Sequence, residues 1–341
     1  MFKVDNIIRK NISRLTPYSS AREEFKGDAS VWLDANESPF ETELNRYPDP
    51  YQIELKKEIA SIKGTNVNQI FIGNGSDEAI DLLFRAFCEP GQDKSYIFPP
   101  TYGMYEVSAN INNVETVRIN LTKDFQLPES SRLNSIVDSK GLLFICSPNN
   151  PTGNMFSLRS VKEIASSFLG LVVVDEAYID FSNSKSATCL LNETPNLVVL
   201  QTMSKAYGLA GLRLGMAFAN KEIIAVLNKI KPPYNVNSLS QAEGLKELKN
   251  LENVIDKINQ IKSERTVLIE SLSKIKSVQK IYPSEANFLL VEFKDSDKIF
   301  TTLRLRGIII RNRTSEIKNC LRITVGSRKQ NKILINAIKE I

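Results

Sequence analysis

The sequence predicts an α/β protein: a large domain with a mainly parallel sheet flanked by helices, and a smaller C-terminal α/β domain. Three observations carry this. Short apolar runs recur along the first two thirds of the chain, several of them continuous rather than alternating, as strands covered on both faces require. Helical patterns separate them, the clearest being Ile80, Leu83, Phe84 and Phe87 at i, i+3, i+4, i+7. After Lys231-Pro232-Pro233-Tyr234 the texture changes to a long charged helical stretch. Strand–helix alternation of this kind builds a layered α/β sheet.

In chain order, the expected strands are 69–72, 95–98, 142–146, 171–174 and 197–200. The helical stretch runs from Ser238 to Lys276. It is followed by a strand at 287–291, a helix near Ser296–Leu305 and strands at 307–311 and 320–325. Ser327-Arg328-Lys329-Gln330 has capping-box spacing and opens a last helix bearing Ile333, Leu334, Ala337 and Ile338. The expected organisation is an N-terminal arm over 1–30 packing near the active site and the small domain, a large domain over 31–235 and a small domain over 236–341.

Bulk composition narrows the function. The 341 residues suit one large domain plus a smaller one. The net charge of +5 is spread without a basic tract, so nucleic-acid binding is not expected. No apolar run approaches the ~18 residues of a membrane span, and the start MFKVDNIIRKN lacks the apolar stretch of a secretory signal. The four cysteines, Cys88, Cys146, Cys189 and Cys320, lie far apart without metal-ligand spacing and read as free thiols of a reducing compartment. A cytoplasmic protein is expected. Histidine is absent altogether, which removes Ser-His-Asp and Cys-His nucleophiles and His-based metal sites. Protons must therefore move through Lys, Tyr, Asp, Glu or a cofactor, and no metal is expected.

The residues just after each apolar run are more specific, because open α/β sheets bind ligands at the carboxyl ends of their strands. Those ends read Gly73-Asn74-Gly75-Ser76, Pro99-Pro100-Thr101-Tyr102, Ser147-Pro148-Asn149-Asn150-Pro151-Thr152-Gly153, Asp175-Glu176-Ala177-Tyr178 and Thr202-Met203-Ser204-Lys205. Five strands, read as neighbours, thus deliver an anion-type turn, an aromatic ring, an amide, a carboxylate with a phenol, and an amine. Pyridoxal 5′-phosphate asks for that set: an amine for the imine, a carboxylate for the pyridine nitrogen, donors for the phenolic oxygen, a ring to stack on and a phosphate cradle. The turn Gly73-Asn74-Gly75 lacks the third glycine of a dinucleotide fingerprint, so a nicotinamide site is not favoured. A single phosphate on a helix N-terminus suits it better.

With these residues in view, the chain resembles the fold-type-I, pyridoxal-phosphate-dependent aminotransferases, and among them the branch that acts on histidinol phosphate. The resemblance runs from Thr16-Pro17-Tyr18 to Leu321-Arg322-Ile323-Thr324-Val325-Gly326. It includes Trp32-Leu33-Asp34-Ala35-Asn36-Glu37, Asn45-Arg46-Tyr47-Pro48 and Pro100-Thr101-Tyr102-Gly103-Met104-Tyr105. It implies an aspartate-aminotransferase-like fold and reversible ping-pong transfer between L-histidinol phosphate and 2-oxoglutarate.

Residue by residue, the resemblance implies that Lys205 carries the cofactor as an imine and then moves the substrate proton. It implies that Asp175 holds the ring nitrogen protonated, and that Tyr178 and Asn150 donate to the phenolic oxygen. Gly75, Ser76 and Asp77 would bind the cofactor, Ser76 and backbone N–H groups together with Thr202, Ser204 and Arg213 would cradle its phosphate, and Tyr102 would stack on the ring. Tyr47 would reach the phosphate of a second subunit, implying a homodimer with shared sites. Tyr18, Asn150, Arg311 and Arg322 would bind substrate, the two arginines gripping an anion through paired N–H groups. Arg313 and Arg304 are weaker candidates.

Each residue also has a plainer reading. A lone lysine usually sits on a solvated face, Asp often ends a strand, Asn-Pro and Thr-Gly favour turns, and Asp77 and Glu78 suit any helix start. An aromatic or broad-range aminotransferase or a threonine-phosphate decarboxylase would use the same cofactor residues. A cofactor-binding regulator without catalysis is disfavoured, since no added DNA-binding domain is visible.

Overall fold

The structure is a computed structural model that describes residues 3–19, 21–25, 27, 29–129, 133 and 137–341. Positions 1, 2, 20, 26 and 28 of the expected arm lie outside the described residues.

The larger sheet has seven strands: β1 (Ile70–Asn74), β2 (Lys94–Ile97), β3 (Glu115–Arg118), β4 (Gly141–Cys146), β5 (Leu171–Asp175), β6 (Leu197–Thr202) and β7 (Leu214–Ala219). Their order across the sheet is β1-β7-β6-β5-β4-β2-β3. Neighbouring strands from β6 through β3 pair in parallel, while β7 runs antiparallel to both β6 and β1. Strands β4, β5 and β6 are buried along their whole length, which is why they read as unbroken apolar runs.

Two strands escape that pattern. β3 is a charged edge strand, and β7 alternates Leu214, Met216 and Phe218 with Gly215, Ala217 and Ala219 directly after a loop containing Gly208 and Gly211, so it reads as a continuation of the loop. The insertion of β7 corrects one expectation. The five functional strand ends are not consecutive neighbours, because β7 separates β1 from β6. Both reversals cancel, so the carboxyl end of β1 still lies at the same sheet edge as the others.

Helices cover the sheet. The described ones are α1 (Lys10–Arg14), α2 (Ala21–Glu24), α3 (Ile53–Lys63), α4 (Ser76–Phe87), α5 (Met104–Ile111), α6 (Leu158–Ser167) and α7 (Lys221–Ile230). They continue with α8 (Ser238–Lys249), α9 (Leu251–Leu272), α10 (Ser296–Leu305) and α11 (Arg328–Lys339). One layer of core joins α4 and α7 to one face of the sheet through Phe84, Phe87, Phe144, Ile223 and Leu227. Val4 and Ile7 belong to that same cluster, and Arg9 donates to the Arg85 carbonyl at 2.9 Å. The start of the arm is thus held by the helices of the large sheet.

A second sheet has the order β10-β11-β9-β8, with β8 (Val278–Ile281), β9 (Phe288–Phe293), β10 (Arg311–Asn312) and β11 (Cys320–Thr324), antiparallel throughout. The strand expected over 307–311 shrinks to Arg311–Asn312. Gly307 adopts φ +73 to close α10, and the Ile308 N–H goes back to the Leu303 carbonyl at 2.9 Å, so Ile308–Ile310 stay off the ladder. The expected helical stretch 238–276 divides at Asn250 (φ −109, ψ 43) into α8 and α9. Ser327 and Gln330 make both bonds of the capping box at the start of α11.

Candidate active site

Asp175 ends β5 and is almost fully buried, 3 % exposed. Its Oδ2 accepts the Tyr105 hydroxyl at 2.7 Å and its Oδ1 accepts the Ala177 N–H at 3.1 Å. Burial pushes its carboxyl above the ordinary range, against the lowering effect of those two donors and of the Lys205 ammonium. No ion pair to it forms among the described residues, so the carboxylate is desolvated without a cation on it. A buried charge in that condition calls for a positively charged partner.

The partner must arrive through a cavity of about 220 Å³ at the sheet edge. Asp175 and Tyr178 line it from β5, Asn150 and Cys146 from β4, and Thr202, Ser204 and Lys205 from β6. Lys205 sits in the tight turn after β6, its carbonyl accepting the Gly208 N–H at 3.2 Å. Its ammonium reaches into the cavity 5.9 Å from the centre of the Tyr178 ring. Partial burial and the nearby Arg322 guanidinium lower its pKa, with Asp175 opposing. A lowered ammonium pKa leaves more neutral amine near pH 7, the form that attacks a carbonyl.

The opposite end is built for an anion. Helix α4 begins at Ser76 with no side-chain cap, so the N–H groups of its first turn face the cavity with Gly75, Ser76 and Asp77. Gly75 is required there: its φ is +73, and a Cβ would stand 2.6 Å from Arg213 Nη2. Arg213, itself at φ 55, receives the Gly75 N–H on its carbonyl at 2.6 Å and brings its guanidinium to 3.5 Å from Asp77. The Thr202 and Ser204 hydroxyls lie 3.0 Å apart beside it. Tyr102 closes one side, its hydroxyl donating to Asp77 at 3.2 Å and its ring set edge-on to Tyr105. Burial raises the phenols of both Tyr102 and Tyr178.

Asn150 connects this cavity to the smaller sheet. Its amide donates to the Tyr178 hydroxyl at 3.4 Å, and its Oδ1 accepts the Arg322 guanidinium. Arg322 lies over the Phe288 ring at 5.2 Å and pairs in register with Arg311 across β10–β11.

Eleven of the expected site residues therefore line one cavity, namely Gly75, Ser76, Asp77, Tyr102, Asn150, Asp175, Tyr178, Thr202, Ser204, Lys205 and Arg213. Arg322 adjoins it and Arg311 stands beside Arg322. Tyr18 and Tyr47 are not part of it: Tyr18 is 67 % exposed, and Tyr47, half exposed, stacks on Tyr234 at 4.3 Å. Tyr105, Cys146 and Ala177 join the site without having been singled out. Tyr105 carried a signal, since it lies three residues after Tyr102 on what becomes the start of α5. Among the described residues no acidic, cysteine or histidine cluster could hold a metal ion, and no helix is long and apolar enough to cross a membrane.

Glu176, next to Asp175, is buried on the other side and ties distant segments together. It accepts the Ser186 hydroxyl, the Ala187 N–H at 2.6 Å and the Gln201 amide at 2.9 Å. Burial raises its carboxyl from 4.5 to about 7. A raised carboxyl pKa means that the folded chain binds more protons than the unfolded one, so this contribution is full below about 4.5 and lost as pH rises through about 7. Glu176→Gln is expected to remove roughly 3 kcal/mol of that pH-dependent change. Urea unfolding of the variant between those pH values should show a visibly flatter slope, and an unchanged slope would place the titration elsewhere.

The set of groups fits pyridoxal phosphate: an amine, a desolvated carboxylate that lacks a cation, hydroxyl and amide donors, and an uncapped helix start with an arginine. Comparison with known proteins agrees. The family model for aminotransferase class I and II matches residues 23–338. The histidinol-phosphate aminotransferase of Christiangramia forsetii is 50% identical over 100% of this chain and 98% of its own. Among solved structures, the histidinol-phosphate aminotransferase of Clostridium acetobutylicum superposes with TM-score 0.78 at 26% identity, covering 87% of this chain and 90% of its own. That of Sinorhizobium meliloti, in complex with pyridoxal-5′-phosphate, superposes with TM-score 0.80 at 23% identity, covering 90% and 89%.

Proposed function

The chain belongs to the class I and II aminotransferases, and from that premise we propose that it moves an amino group reversibly between L-histidinol phosphate and 2-oxoglutarate. The products are imidazole-acetol phosphate and L-glutamate, a step of histidine biosynthesis. The observation that carries the chemistry is the convergence of Lys205, Asp175 and the α4 N-terminus on one cavity. Full-length relatives of about half identity, all bearing that enzyme's name, favour the substrate.

Pyridoxal phosphate, when bound, supplies a carbonyl that takes up the donor's amine and a ring that draws electron density from the donor's α-carbon. Lys205 Nζ lines the cavity where it would anchor the group covalently, and as a free amine it would be the base that moves the donor's α-proton. Asp175 would hold a proton on the ring nitrogen; its Oδ1 and Oδ2 are already oriented by Ala177 and Tyr105. Asn150 and Tyr178 would donate to the phenolic oxygen. The first-turn N–H groups of α4, with Thr202, Ser204 and Arg213, would hold the phosphate, and each hydrogen bond to a charged group contributes about 1.5–3 kcal/mol. Tyr102 would cover the ring. Arg322 and Arg311, with Tyr18 and Asn150, grip the donor's anionic tail.

A homodimer belongs to the same reading. Tyr47 lies outside its own chain's cavity, in a segment that also exposes Leu33 at 91 %, Phe40 at 78 % and Leu44 at 56 %. A second subunit would cover this apolar segment and receive Tyr47 at its phosphate.

Single-turnover mixing tests the substrate. The cofactor band of the loaded enzyme should bleach much faster with histidinol phosphate than with phenylalanine or tyrosine. Comparable rates for all three would make it a broad-range aminotransferase, and release of carbon dioxide from threonine phosphate would make it a decarboxylase.

A further inference from the structure

A second cavity, of about 580 Å³, shares Tyr102 with the first and opens beyond it. Arg118 of β3 and Asn120 just after it line one side, and Arg313, Ser315 and Glu316 line the other from the loop between β10 and β11. That loop continues the strand that carries Arg311. Arg311 lies directly opposite Arg322, and the Arg313 N–H extends the ladder to the Cys320 carbonyl at 3.1 Å. Arg313 directly follows β10, and both Arg322 and Arg311 act on its guanidinium as like charges. Like charges opposed across an antiparallel pair weaken it.

Among the described residues, Glu316 is the carboxylate that answers these guanidiniums. Glu316 pairs with Arg313 Nη2 at 3.1 Å and also acts on Arg322. Three positive groups and one negative leave two positive charges in excess. The Arg313 side chain is only 13 % exposed, and its Nε is buried with no hydrogen-bond partner among the described residues. An unmet N–H on a largely buried guanidinium is costly. The charge excess and the unmet donor both match a dianionic, multi-oxygen ligand.

On the premise that the donor is histidinol phosphate, we propose that Arg313 and Glu316 form an exchange pair that distinguishes the two donors by their tails. In the free enzyme Glu316 occupies Arg313. A phosphate tail displaces Glu316, because it brings a second charge and can face the guanidinium fork with two oxygens. A carboxylate tail carries no more charge than Glu316 itself, so it leaves the pair closed and rests on Arg311 and Arg322. The pair is short-range in sequence, and its Glu316 side chain is 34 % exposed against 13 % for Arg313, so the carboxylate is the partner that can turn out to water. Arg313 is thereby a specificity residue for phosphorylated donors, and Glu316 a carboxylate that stands in for their tail.

The test uses cofactor-loaded wild type, Arg313→Met, Arg313→Lys and Glu316→Gln. KM is measured for histidinol phosphate and for glutamate, and inorganic phosphate is titrated as a competitive inhibitor of the glutamate reaction. Arg313→Met should raise the KM for histidinol phosphate and the inhibition constant of phosphate about tenfold, with the KM for glutamate moving less than about threefold. Arg313→Lys should fall between. Glu316→Gln should shift both phosphate-dependent constants the opposite way, toward tighter binding, which simple damage to the fold would not do. Equal losses for both donors, or weaker phosphate inhibition in Glu316→Gln, would overturn the proposal. A wild type that cannot use histidinol phosphate would instead sink the substrate assignment, and the phosphate titration would still judge the Arg313–Glu316 pair.

Discussion

Lys205→Ala is expected to abolish net amino transfer while leaving the chain folded. General acid–base transfer alone is worth about 10²–10⁴-fold, and the same side chain is also the covalent anchor, so the loss should exceed that span. Borohydride reduction and mass spectrometry should then find pyridoxal phosphate fixed on wild type at this position and on the variant not at all. The fold tolerates the change because the Lys205 side chain is exposed to the cavity, its Nζ standing 5.9 Å from the centre of the Tyr178 ring. Surface-like truncations of this sort stay within about 0.5 kcal/mol. Lys205→Arg should be equally inactive, since a guanidinium stays protonated at any working pH and can neither attack a carbonyl nor take a proton. Steady-state transamination retained by either variant would remove the amine from the mechanism.

How much of this was legible in the sequence depends on whether a residue's role is local. Strands β4, β5 and β6 were readable because burial on both faces leaves an unbroken apolar run, and the residues after each run were readable because such sheets deliver ligands at that edge. The capping box at Ser327 was readable because four consecutive residues suffice for it. Strand β7 was hidden: Leu214-Gly215-Met216-Ala217-Phe218-Ala219 owes its place to pairing with β6 and β1, not to its own pattern. There Gly215 passes so near the start of α4 that a Cβ would lie 2.0 Å from the Ser76 nitrogen, a packing constraint no local pattern announces.

Tyr105 was hidden for the same reason. Its hydroxyl meets Asp175 only because its ring stacks on Phe144 of β4, with centroids 4.6 Å apart, bringing the start of a helix onto the strand that neighbours β5 in the sheet. The resemblance to a known family supplied roles for Tyr18, Tyr47 and Arg311 that one chain's own cavity does not gather.

Asp175→Asn separates what the buried carboxylate costs the empty protein from what it does for the cofactor. In the cofactor-free chain, burial holds the Asp175 carboxyl above its ordinary value of 3.8, so the folded state binds a proton that the unfolded state has released. This contribution is therefore complete at low pH and is lost as pH rises from 3.8 through the raised folded value. Asparagine carries no charge to desolvate, keeps an oxygen for the Ala177 N–H and turns an amide toward the Tyr105 oxygen, which can accept. The cofactor-free variant should therefore unfold at higher urea than wild type near neutral pH, with a weaker dependence on pH.

The loaded protein should behave in the opposite way. Without a carboxylate the ring nitrogen loses its proton, and removal of one electrostatic group of this type costs about 10²–10³-fold in turnover. Cofactor affinity should fall as well, because the ion pair that offsets the burial of Asp175 is gone. A more stable empty protein with a slower, more weakly loaded enzyme is an outcome that a purely structural aspartate could not produce. If the variant is destabilised when empty and binds the cofactor as tightly as wild type, Asp175 serves the fold of the β5 end, and the ring nitrogen must find its counter-charge elsewhere.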